Sequence, residues 1–159
     1  MMPALFYAVI GWIAACLPSY RYSRIYRGGD SSIPYMDRWI IQFPSGRQLR
    51  LHHILTSDTD VPHDHPFDFW TLILWGAYWE MRGLPGVGGG QVHEKFYMGS
   101  WRFVPAETPH YLELNQGSVW TLVLTGPRRR DWGFYHMAKG EWVWDSFRNA
   151  RETREVPRA

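Results

Sequence analysis

With a single cysteine, Cys16, the chain cannot form an intrachain disulfide, so its fold does not depend on an oxidising compartment. Its longest apolar run, residues 4–17, is shorter than the ~20 residues a membrane-spanning helix needs. Neither sign of charge dominates. The 17 Lys and Arg against 15 Asp and Glu leave a net charge of +2, far from the clustered basic face that marks a nucleic-acid binder, so no nucleic-acid partner is expected. The Gly-rich stretch 86–90 lacks the Lys-Ser/Thr and following helix of a phosphate-binding loop. No nucleophilic Ser or Cys signature, zinc-finger Cys pattern, internal repeat or coiled-coil heptad is visible.

The composition is that of a folded domain. Hydrophobic residues make up 45% of the 159 positions and aromatics 17%, with 10 Trp, enough for one domain with a substantial core. The tryptophans are expected chiefly in that core, with a role in lining a pocket as the alternative. From residue 37 onward, short strand-like runs follow at close intervals: 37–43, 47–55, 69–75, 77–82, 91–98, 101–104, 110–114, 119–125, 130–137 and 141–144. Turn signals separate them, among them Pro44-Ser45-Gly46, Gly76 and Ala138-Lys139-Gly140. This pattern predicts an all-β sandwich, barrel or jelly roll. The chain divides into residues 1–30, an apolar helix and basic-aromatic linker; 31–145, the barrel; and 146–159, a charged tail.

Residues 4–17 suit a helix buried against a surface. The barrel flank, a second subunit in a homodimer or a bilayer can each provide one. Ile13-Ala14-Ala15-Cys16 is similar to a lipobox, but no Lys or Arg precedes the run as a signal peptide requires. A protein surface and a cytoplasmic location are therefore expected. Membrane association or a lipid anchor through this segment is the alternative.

His63 and His65 stand at i and i+2, and side chains alternate along an extended chain, so both imidazoles project from one face. A third histidine on a later strand, His110, completes a set of three neutral imidazoles, enough to hold a divalent metal with open positions. These residues sit in two motifs. His63, His65 and Gly76 match the first cupin motif, G-x5-H-x-H-x3/4-E-x6-G. Gly99, Pro105 and His110 match the second, G-x5-P-x-G-x2-H-x3-N. Over residues 58–115 the chain thus resembles the cupins. It departs from them at four places: Ser57 stands for the opening glycine, Phe69 or Trp70 for the motif glutamate, Glu107 for the inner glycine and Leu114 for the closing asparagine.

The resemblance implies the cupin double-stranded β-helix, a jelly-roll barrel, here with an N-terminal helical extension. It implies a divalent metal on His63, His65 and His110, with Fe(II) the first expectation and Zn, Mn or Ni the alternatives. Asp68, three residues after His65, is the candidate fourth ligand, with the second shell as its other role; Glu80, four residues past Gly76, is an alternative carboxylate, with an outward charged position explaining it as well. Arg128, Arg129 and Arg130 are candidate substrate-binding residues, an anion clamp at the barrel mouth, against the simpler reading of a solvated turn. Of the adjacent His52 and His53, only one can face the pocket. Trp101, Arg102 and Tyr111 flank the second motif and could line the pocket, but read first as packing. The expected activity is an oxygenase acting on a small polar substrate. The alternatives are a non-catalytic cupin module within a larger assembly and a metal-free sugar epimerase or isomerase.

Overall fold

The computed structural model describes residues 19–27, 32–58, 61–87 and 90–147. The expected N-terminal helix and most of the charged tail lie outside them. Eleven strands follow in order: β1 (Ser19–Tyr26), β2 (Pro34–Gln42), β3 (Gln48–Ile54), β4 (Phe69–Trp75), β5 (Ala77–Arg82), β6 (Val92–Tyr97), β7 (Trp101–Val104), β8 (His110–Leu114), β9 (Val119–Thr125), β10 (Gly133–Ala138) and β11 (Glu141–Ser146). Among the described residues no helix is long and apolar enough to cross a membrane.

One layer is a six-stranded antiparallel sheet ordered β1-β2-β3-β9-β4-β7. The other begins with β6-β5-β8 and is continued by His63, which bridges His110 of β8 on one side and Phe134 of β10 on the other. The hairpin β10-β11 ends this layer. The chain therefore moves between layers as a jelly roll does, and the segment carrying His63 and His65 lies inside the second layer as a short strand of its own.

Gly76 makes the crossing from β4 to β5. Its φ is +83°, and a Cβ there would meet the Ser118 carbonyl oxygen at 2.7 Å, so any side chain would strain the turn twice over. Period-two alternation then sorts each strand. On β4, Phe69, Thr71 and Ile73 are buried while Trp70 and Leu74 are exposed; on β9, Val119, Thr121, Val123 and Thr125 are buried. The core consists of Met36, Ile54, Ile73, Tyr78, Phe96 and Val119, with a second cluster of Phe67, Phe69, Val104 and Val123.

Two expectations are corrected here. The basic-aromatic stretch taken as a linker is the edge strand β1, paired along its length with β2. Its Tyr22 and Arg24 lie on one face and both bond Asp37 (2.7 Å each to Oδ1). The tryptophans do not form the core. None of those described is buried, and Trp75 and Trp101 are 65% and 57% exposed. On β4, Trp70 alternates with buried Phe69 and Thr71 and so lies on the outside of the barrel, whereas Trp144 turns its indole N–H toward Asp64.

Candidate metal centre

Between the layers lies a cavity of about 90 Å³, lined by residues of both sheets. His63, His65 and His110 meet there. One nitrogen from each ring lies within 4.8 Å of the other two, a group able to hold a metal ion. Nε2 of His65 and Nε2 of His110 are 2.8 Å apart. That gap fits two donors of one ion, each at about 2.0–2.1 Å from it. Strand geometry delivers the set. His63 and His65 alternate around Asp64, and the backbone of His63 exchanges hydrogen bonds of 2.9 Å with that of His110 in both directions.

The next residues out orient these rings. Glu80, fully buried on β5, accepts a hydrogen bond from His110 Nδ1 at 2.5 Å. With Nδ1 carrying the proton, Nε2 keeps a lone pair directed into the cavity. Arg102 of β7 forms an ion pair with the same carboxylate. Burial by itself raises the pKa of Glu80, but the hydrogen bond from His110 and the charge of Arg102 outweigh it, and the net shift is downward. Burial lowers the pKa of His63, and lowers that of His65 well below its ordinary value with help from the neighbouring imidazoles. Both rings are therefore neutral near pH 7, the state that binds a metal.

Asp64 points the opposite way and is fully buried. It accepts hydrogen bonds from Arg130 Nη1 (2.6 Å), the Gly133 amide (2.7 Å), Trp144 Nε1 (2.9 Å) and the Tyr135 hydroxyl (3.3 Å). One carboxylate thus clamps the His-x-His segment to the β10-β11 hairpin. Gly133 is required at that contact, because a Cβ would fall 2.0 Å from the Asp145 carbonyl oxygen.

The expected fourth ligand and anion clamp are placed elsewhere. Asp68 is not in the three-histidine group; its Oδ1 accepts from the Ala106 amide (2.8 Å) and from Arg129 (2.6 Å), at the surface. Arg128 pairs with Asp131, Arg129 with Asp68 and Glu107, and Arg130 with Asp64. None of the three arginines lines the cavity. Each already has a carboxylate of this chain as its counter-ion. Of the histidine pair, His52 faces the cavity, while His53 points outward, stacks on Trp120 (ring centroids 4.2 Å apart) and bonds Ser118.

Three residues with a part in the site were not singled out for it by sequence reasoning, Asp64, Glu80 as an orienting group and Arg50, while Arg102 was offered only as a pocket-lining alternative to packing. For Arg50 a signal existed. Along Gln48-Leu49-Arg50-Leu51-His52, polar and apolar residues alternate strictly, so one whole face had to be polar.

Two facing sheets with a histidine cluster between them define a cupin-type β-barrel with a site able to hold a divalent metal. No protein-family model and no curated protein matches the sequence. Solved structures do match the fold. The Fe(II) form of HppE aligns with a TM-score of 0.54 at 16% identity, covering 67% of this chain and 56% of its own. Hydroxypropylphosphonic acid epoxidase from S. wedmorenis aligns with a TM-score of 0.50 at 14% identity, covering 69% and 56%. A variant of Bacillus subtilis oxalate decarboxylase aligns at 0.53 and 10% identity, covering 71% of this chain and 29% of its own. The present chain thus spans little more than half of the first two proteins and under a third of the last. At these identities the likeness is one of fold.

Proposed function

We propose that this protein is a mononuclear metal-dependent enzyme of the oxygenase type that acts on a small polar molecule. In this reading His63, His65 and His110 hold the divalent ion, with Fe(II) the first candidate. The observation that carries it is the convergence of three ring nitrogens in a cavity, one of them oriented by a buried carboxylate. A metal-binding histidine characteristically donates its other ring N–H to such a carboxylate, which fixes the tautomer and aims the free nitrogen at the ion. Fe(II) in the name of one fold neighbour agrees with the choice of ion.

Three neutral nitrogen donors leave open positions on an ion, and when bound it would supply Lewis acidity and a place for O2. The chain's own residues supply the rest. Glu80 fixes the tautomer and direction of His110. Asp64 fixes the backbone that carries His63 and His65. Phe67 and Phe69 wall the cavity and restrict water, which strengthens every charge interaction inside it.

Metal analysis of untagged protein tests the reading. Wild type is expected to hold one equivalent, and His63→Ala and His110→Ala to hold none while keeping β-sheet circular dichroism. Unchanged metal content in both variants overturns the assignment. Oxygen-electrode measurements on the Fe(II)-loaded protein with candidate substrates then test the oxygenase step. Turnover that persists in full after chelation would overturn it in favour of metal-free acid–base chemistry.

A further inference from the structure

Arg50 and His52 of β3 line the cavity, and among the described residues neither is paired with a carboxylate. Arg21, Arg38 and Arg50 lie on the inward-facing side of consecutive strands, Arg21 and Arg50 both opposite Ile40, and Arg38 opposite His52. Among the described residues none of these arginines forms a salt bridge. Arg50 shares only the Gln48 side-chain oxygen (2.9 and 2.6 Å) and lies 4.5 Å over the Phe67 ring. Arg38 has one long contact with Ser23, at 3.4 Å. His52 lines the same cavity with its Nε2 buried and without a hydrogen-bond partner. Burial and the neighbouring arginines pull Arg50 down to about 9 and His52 to about 3.

A buried cation without a counter-ion is a cost to the fold, and like charges facing one another add to it. Every other arginine around this site is matched with a carboxylate, Arg102 with Glu80 and Arg130 with Asp64. The unmatched group therefore marks the place of a negative charge the chain does not contribute. We propose that Arg50, with Arg38 and His52, binds the oxyanion head (carboxylate, phosphate or phosphonate) of a small acid whose other end reaches the three histidines. This rests on the metal-site reading only for the role of the second end. A guanidinium offers paired N–H donors matched to such a group, and the small cavity limits the ligand to a few non-hydrogen atoms beyond that head.

Titration calorimetry on EDTA-treated full-length protein, with inorganic phosphate and with malonate as probes, separates this site from the metal. Wild type is expected to bind at least one probe at one equivalent. Arg50→Met should weaken that binding at least tenfold, Arg38→Gln less, and Arg128→Gln not at all. In anion-free buffer Arg50→Met should unfold at the same temperature as wild type or higher, because it removes an uncompensated buried charge. A purely structural arginine would give the reverse, a lower midpoint, and that result overturns the proposal. So does the absence of binding by either probe to wild type, or undiminished binding by Arg50→Met. Retention of anion binding in His110→Ala would support the site even if the metal assignment failed.

Discussion

Leu49 and Leu51 of β3 face outward, while Arg50 and His52 of the same strand face the cavity. On edge strand β7 of the same sheet, Trp101 and Phe103 are likewise exposed while Arg102 lies inside against Glu80. The strands between them, β4 and β9, do the reverse and turn Phe69, Ile73, Val119 and Val123 inward. Burying apolar area is what drives the layers together, so β4 and β9 carry the packing while β3 and β7 give up part of it to hold polar groups beside the three histidines.

The inner face should give the largest response. Glu80→Ala leaves Arg102 buried without its counter-ion and His110 without an acceptor, and is expected to cost about 3–5 kcal/mol in a denaturant melt. Glu80→Gln keeps an acceptor, so it should fold yet bind metal about 10–100-fold more weakly; equal metal affinity would show that Glu80 does not orient His110. On the outer face, where Leu72 and Leu122 are half-buried, Leu72→Asn and Leu122→Asn should each cost about 1 kcal/mol. Costs below about 0.5 kcal/mol would show that this face meets water and would remove half of the contrast.

His52 probes the inner face through pH. Its folded pKa is depressed to about 3 by burial, against 6.5 for the free side chain. Below 6.5 the unfolded chain therefore binds a proton that the folded chain does not. The stability it contributes is full above 6.5 and declines as pH falls toward 3. Between pH 6 and pH 5 about 1 kcal/mol should be lost to this residue, and His52→Gln should flatten the profile by that amount. An unaltered profile would place His52 in water. The smallest effect belongs to Asp68→Asn. Its ion pair with Arg129 is solvent-exposed, so less than about 1 kcal/mol is expected, with metal content unchanged. Near-total loss of metal would instead make Asp68 a ligand.

The sequence was most legible where a local rule sufficed. The strands at 69–75, 77–82, 101–104, 110–114 and 119–125 fall where alternation and turn residues put them. The histidine trio could be read from the i, i+2 step and a second motif. Strand β1 was missed because Arg and Tyr in mixture read as a linker, although its own alternation, Tyr22 and Arg24 on one side, is that of an edge strand. The partners of the histidines were beyond reach for a different reason. Glu80 meets His110 across 30 residues, and Asp64 meets Trp144 across 80. Such pairs are set by strand register, which no local pattern specifies. The carboxylate partners of Arg128, Arg129 and Arg130 were beyond reach for the same reason, since the fold brings them together.

Asp64 has a consequence for how variation in this protein would be interpreted. It sits between two candidate ligands and holds the last hairpin through Trp144 and Gly133. The segment that aims the imidazoles is thus anchored by a hairpin that does not line the cavity. Damage to the hairpin, for example Trp144→Phe with its indole donor removed, would register at the cavity as a faster metal off-rate, and an assay of turnover alone would mistake a loosened hinge for a lesion in the chemistry.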